Sequence, residues 1–186
     1  MYWLPEVFLF LVLPACLVYG VVRLLFRKKV KLRMRTELIR LGAIAYAICL
    51  LYLVWLDRTP VFDQLLFNAI PFKTISEYLF GIASGTLPVS VGLSNLLGNI
   101  LLTFPLGIFL FFGLKKAKFL KIFFLAAVIP ILLETGQLLL HMMRWSSRSV
   151  DIDDVLLNMS GIIAGYYVSK FLFQNLKEKE NDHYSS

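Results

Sequence analysis

The sequence predicts an all-α membrane protein of about five transmembrane helices with an apolar interfacial or re-entrant outer loop. Three observations predict it. Of its 186 residues 59% are hydrophobic and only 17% charged, well above the 45–50% apolar share of soluble domains. Mean hydropathy is +0.75. Five apolar runs are long enough to cross about 30 Å of hydrocarbon at about 1.5 Å per helical residue. This composition excludes an ordinary soluble enzyme, a disordered chain and a collagen-like repeat.

The five runs are residues 3–26, 38–56, 95–114, 119–143 and 155–173. Each is read as a helix, because backbone groups facing lipid must be satisfied within the segment. The chain divides into two N-terminal transmembrane helices with their basic connection (1–56), a core of outer loop and three transmembrane helices (57–173), and a polar tail (174–186). Pro14-Ala15-Cys16 sits where a processing site could, but no Lys or Arg precedes the first apolar run, so that run is read as part of the mature protein.

The net charge of +7 is concentrated beside the spans. Arg23, Arg27, Lys28, Lys29, Lys31, Arg33, Arg35 and Arg40 surround the first connection, and Lys115, Lys116, Lys118 and Lys121 the third. With Lys170, Lys177 and Lys179 they fall on one membrane face if the N-terminus is outside and the C-terminus cytoplasmic; only Arg58, Lys73, Arg144 and Arg148 remain outside. Juxtamembrane basic residues suit anionic lipid, so no nucleic-acid partner is expected. Cys16 and Cys49 lie in apolar runs, leaving neither a disulfide framework nor a cysteine zinc site. No metal or cofactor motif is present, and the sequence specifies no oligomeric state.

The external loop 57–94 carries Leu65, Leu66, Phe67, Ile70, Phe72, Ile75, Leu79 and Phe80. A solvated loop would not be this apolar, so the stretch is placed on or into the outer interface, broken by Pro71, Gly81, Gly85, Pro88 and Gly92. Pro105 and Pro130 fall inside the third and fourth spans and predict kinks.

Polar residues within the spans carry the functional information, since an ionisable group at the bilayer centre costs about 2.5–3.5 kcal/mol on insertion scales. Glu134 lies roughly 13 Å from the outer end of the fourth span. Gln137, His141 and Arg144 follow on the same helical face. The fifth span opens outside with Arg148, Asp151, Asp153 and Asp154 and continues to Asn158, Gly161 and Gly165; the third opens with Asn95 and Asn99. Asp151 or Asp153 suits a helix N-terminus, and Gly161 with Gly165 suits close helix packing. Packing alone does not need so many polar groups at one depth, so the convergence is read as a functional site. Glu134 and Asp154 are the candidate catalytic groups.

The order Asn68-x-x-Pro71-Phe72-x-Thr74-Ile75, Asn95-x-x-Gly98-Asn99, Phe104-Pro105-Leu106-Gly107, Glu134-x-x-Gln137 and Arg148-x-x-Asp151-x-Asp153-Asp154-x-x-x-Asn158 resembles the VanZ-like family of bacterial membrane proteins. The resemblance covers about residues 57–168 and implies Glu134, Gln137, Arg148, Asp151, Asp154 and Asn158, together with Asn95 and Asn99, as the candidate binding set. It implies a multi-pass protein of the bacterial, chiefly Gram-positive, cytoplasmic membrane that lowers susceptibility to teicoplanin, a lipid-tailed glycopeptide. Two readings follow. In one, the protein binds a lipoglycopeptide or a lipid-linked cell-wall precursor among the membrane lipids. In the other, it is an intramembrane enzyme on a lipid-linked substrate, with Glu134 or Asp154 as general base, Arg148 stabilising anionic charge, and the aspartates able to meet a divalent cation through phosphate. A transporter is a third class, but no internal repeat supports it.

Overall fold

In a computed structural model the chain is described over residues 4–26, 33–56, 67–114, 117–145 and 149–185. Its helices are α1 (Pro5–Leu25), α2 (Met34–Leu56), α3 (Lys73–Ala83), α4 (Val89–Gly113), α5 (Phe119–Met142) and α6 (Ile152–Ser185). Two short strands, β1 (Phe67–Asn68) and β2 (Val150–Asp151), pair in parallel. All but α3 contain a segment long and apolar enough to cross a membrane, that of α6 being Ile152–Phe173. The five expected spans are therefore present. The third starts at Val89 rather than residue 95, because Pro88 stands at the cap and the Ser and Gly residues after it continue the helix.

The chain forms two compact units, Met1–Asp63 with Leu139–Arg148, and Gln64–Leu138 with Ser149–Ser186. In the first, α1 and α2 are tied by a carboxylate. Glu37 accepts hydrogen bonds from the Tyr19 hydroxyl, from Arg23 through Nε (3.1 Å) and Nη2, and from Arg40 Nη1 (3.0 Å). A forked guanidinium on one carboxylate fixes direction as well as distance. Two of the basic residues assigned to the membrane face thus share one counter-charge. α1 includes a π-helical turn at Phe8–Val12, and α2 ends in one at Tyr52–Leu56. Also in this unit, the chain leaves α5 through Arg144 at φ 54, with Arg144 N–H donating to the His141 carbonyl and Trp145 N–H to that of Leu140. This is a Schellman ending, normally made by Gly. The regular helix therefore ends before Arg144.

In the second unit α4 and α6 run parallel, with Asn99, Thr103 and Gly107 facing Asp154, Asn158 and Gly165 in turn. Glycines let the two backbones meet. A Cβ at Gly161 would strike the Ile100 carbonyl and Thr103 Oγ1, one at Gly165 the Phe104 carbonyl, and one at Gly107 the Ile162 carbonyl. The close packing expected of Gly161 and Gly165 is present, and Gly107 is its counterpart on α4. Toward the C-terminal ends of the pair, Phe111, Ile122 and Tyr166 form a buried core joined by Phe112, Tyr167 and Phe173. Rings meet edge to face or stacked 5.0–5.9 Å apart, the spacing that aromatic quadrupoles favour. Pro105 and Pro130 lie inside α4 and α5.

The apolar outer loop contains α3, joined to α4 by a turn through Gly85, whose φ of 72° suits glycine. The Leu87 amide donates to the Gly81 carbonyl (2.9 Å). Phe67, Ile70, Phe72, Leu79 and Phe80 are all exposed.

Candidate functional site

The site grows from the β1–β2 pairing, whose register sets Asn68 opposite Asp151. Asn68 Oδ1 accepts from the Ile70 amide (3.1 Å), closing an Asx turn that bends the chain toward Pro71 and α3. Its Nδ2 donates to Asp151 Oδ1 (2.9 Å), with Thr74 Oγ1 at 3.0 Å. The Thr74 hydroxyl donates to Asp151 Oδ2.

The three aspartates take different tasks. Asp151, just ahead of α6, accepts from the Asp153 amide (2.9 Å) and so caps its own helix while holding Asn68 and Thr74. Asp153 is fully buried and caps a different helix. Phe72 stands at the cap of α3 with φ 65 and no side-chain oxygen to offer. Asp153 supplies both acceptors, Oδ1 to the Phe72 amide and Oδ2 to the Ile75 amide (3.1 Å). Burying this charge is sustained by two amide donors and by the positive end of the α3 dipole. The structural role expected for Asp151 or Asp153 therefore falls to both, and Asp153 exercises it across helices.

Asp154 differs. Asn99 Nδ2 donates to its Oδ1, and among the described residues Oδ2 accepts no hydrogen bond. It is half-buried. One turn on, Asn158 is buried, and its Oδ1 has no hydrogen-bond partner among the described residues. The fully buried Thr103 hydroxyl lies between the backbone carbonyls of Asn158 (2.8 Å) and Asn99 (2.9 Å) and shares its one proton between them, fixing the register of α4 on α6. Glu134 joins from α5, buried, its Oε2 3.4 Å from the Asp151 amide that faces it. Gln137 lies one turn along α5, half-buried.

Asn99, Glu134, Asp151, Asp154 and Asn158 are thus brought to one end of the second unit. Asn95 is not joined to them: it is exposed, and its Nδ2 donates to the Val91 carbonyl of its own helix (2.8 Å). Arg148 lies outside the described residues, and His141 and Arg144 belong to the first unit. Among the described residues no three His, Cys, Asp or Glu side chains gather as a metal site.

Asn68 and Thr74 stand in the quoted motif but outside the candidate binding set. Their role depends on the β1–β2 pairing, which two-residue strands do not announce. Tyr78, on α3, stands within the apolar loop, where the sequence gives it no distinguishing signal. Burial, and then the charges of Asp154 and Asp151, hold its phenol protonated beyond the usual tyrosine range.

Five membrane-length helices define a multi-pass membrane protein, and the second of its compact units carries a cluster of carboxylate and carboxamide side chains. The chain belongs to the VanZ/LLP1 family, whose sequence model matches residues 43–174. The match begins within α2 and takes in every residue of the site. Neither a curated protein nor a solved structure matches the chain.

Proposed function

We propose that this protein is a multi-pass component of the bacterial cytoplasmic membrane, N-terminus outside, whose polar site in the outer half of the bilayer binds a lipid-tailed or lipid-linked envelope amphiphile. Through that binding it lowers susceptibility to teicoplanin-type lipoglycopeptides. The observation that carries the reading is the division of labour among the aspartates. Asp151 and Asp153 spend their oxygens on the fold, whereas among the described residues Asp154 Oδ2 accepts no hydrogen bond and Asn158 Oδ1, one helical turn on, has no partner. An unsatisfied buried acceptor costs about 1–3 kcal/mol. A ligand bringing hydroxyl, amide or ammonium donors would recover part of that, while its lipid tail stays in the membrane. Membrane lipids are the surrounding partners, and a lipid-linked cell-wall precursor is the natural candidate ligand.

A second reading, an intramembrane enzyme acting on a lipid-linked substrate, is favoured by the same carboxylate, since Asn99 orients one oxygen and leaves the other able to take a proton. One experiment separates the two. Teicoplanin and vancomycin susceptibilities are compared in a Gram-positive host carrying empty vector, wild type, Asp154→Asn or Asp154→Leu at equal membrane abundance. Binding predicts protection by wild type that survives Asp154→Asn, which keeps shape and an acceptor, and is lost in Asp154→Leu. Catalysis predicts loss in both variants with a changed profile of lipid-linked precursors by mass spectrometry. Absence of protection by the wild type would refute the resistance reading.

A further inference from the structure

About 20 Å along α4 from Asn99, at about 1.5 Å per residue, the second unit carries another concavity. It is a groove of about 1210 Å³, lined by Phe112, Leu114, Leu120, Phe123, Phe124 and Ala127, with Lys118 and Lys121 at one end. Its volume exceeds the range of about 300–1,000 Å³ typical of small-molecule clefts. Leu120 and Phe124 are strongly exposed to their surroundings. Its length carries the argument. From Lys118 to Ala127 the chain climbs about 13 Å along α5, close to half of the roughly 30 Å hydrocarbon core. The groove is therefore one leaflet deep, basic where the headgroup level falls and wholly apolar below it. The positive end of the α5 dipole points the same way as the lysines.

We propose that this groove holds one anionic phospholipid of the lysine-bearing leaflet, its phosphate between Lys118 and Lys121 and an acyl chain against Phe112, Phe123 and Ala127. The charge selects the occupant. A zwitterionic lipid would fill the apolar floor equally well and bring the same phosphate, but its own ammonium group would offset that charge beside the two lysines. Lys170, at the same end of the unit, lies over the Tyr167 ring, 5.7 Å from its centroid, and is not part of the groove lining.

The test uses the full-length protein in mild detergent, incubated with equimolar phosphatidylglycerol and phosphatidylcholine, with the retained lipid read by native mass spectrometry. Two lysines at a membrane surface predict a preference for phosphatidylglycerol of about tenfold or more. Lys118→Gln with Lys121→Gln should bring retention of the two lipids to parity, and Lys118→Arg with Lys121→Arg should keep the preference. Ala127→Phe, filling the floor, should reduce retention of both lipids while the lysines remain. Equal retention of the two lipids by the wild type would overturn the proposal, as would a preference that persists after both Lys→Gln changes. A second copy of the chain in the groove is the competing occupant. Disulfide capture of a Phe124→Cys dimer in vesicles containing phosphatidylglycerol would show it and overturn the lipid assignment.

Discussion

Gly107→Ala tests the parallel α4–α6 crossing on which the site depends. An alanine Cβ there would lie 2.6 Å from the Tyr166 amide nitrogen and 2.9 Å from the Gly165 carbonyl carbon, and nearer still to the Ile162 carbonyl oxygen. All three are backbone atoms, so no side-chain rotation relieves the clash and the helices must part. Overpacking of this kind costs about 1–3 kcal/mol. Ala in place of Gly within a helix returns about 0.5–1 kcal/mol, leaving a net loss of about 1–2 kcal/mol. At about 2–4 °C per kcal/mol for a chain of this size, Tm should fall by several degrees. Gly98→Ala and Gly113→Ala are the internal controls, because a Cβ at either position meets nothing within 4 Å. They should keep the propensity gain and unfold slightly higher than wild type. Thermal unfolding of the purified protein, followed by tryptophan fluorescence and by size-exclusion of the heated sample, reads all three. A Gly107→Ala protein as stable as wild type, with Gly98→Ala destabilised, would refute the glycine-crossing argument. Parting the helices also draws Asn99 from Asp154, so protection against teicoplanin should weaken in Gly107→Ala and persist in Gly113→Ala.

Asp153→Ala removes the acceptor of the Phe72 and Ile75 amides. Losing a cap of about 1–2 kcal/mol should speed hydrogen exchange at the start of α3 by about 5- to 30-fold, and unchanged protection there would show the helix is capped otherwise. Glu37→Gln should lower the thermal stability of the α1–α2 pair, and adding Arg23→Gln to it should cost little more, because the two side chains form one interaction; full additivity in that double-mutant cycle would contradict the pairing. A cysteine at Ser147 should label from outside intact cells and one at Ala117 only after permeabilisation, the reverse pattern inverting the membrane orientation. For Tyr78, whose phenol is held protonated by burial and by Asp154 and Asp151, Asp154→Asn should move its ionisation down toward ordinary tyrosine pH, since one repelling negative charge is removed. The difference between wild-type and Tyr78→Phe ultraviolet pH titrations isolates it, and an ionisation unmoved by Asp154→Asn would disconnect Tyr78 from the site.

Much of this was legible because lipid is a demanding solvent. Hydrocarbon thickness fixes how long an apolar run must be, so five spans can be read directly, and Asn99, Glu134, Asp154 and Asn158 stand out as polar residues where polarity is costly. Gly161 and Gly165 announced a close crossing by their four-residue spacing. What spacing could not supply was the partner of each group. Asn95 and Asn99 look equivalent as a polar pair at i and i+4, yet Asn95 bonds back to its own helix and Asn99 holds Asp154. Arg144 continues the heptad-like face of Glu134 on paper, but the helix ends first in a left-handed turn.

The sequence by itself determined that the chain is a five-span membrane protein, which of its segments are apolar enough to cross, and which residue types bring chemistry to the interior. These follow from the length, composition and periodicity of individual segments, each a local property of the chain. The tertiary structure alone decided which donors meet each of three neighbouring aspartates. Asp151, Asp153 and Asp154 differ by one or two positions and share one chemistry. Asp151 stands in β2 ahead of the helix, and the 100° turn between successive helical residues parts Asp153 from Asp154, so each carboxylate meets different donors: Asn68 and Thr74 for the first, the α3 amides for the second, and Asn99 for the third.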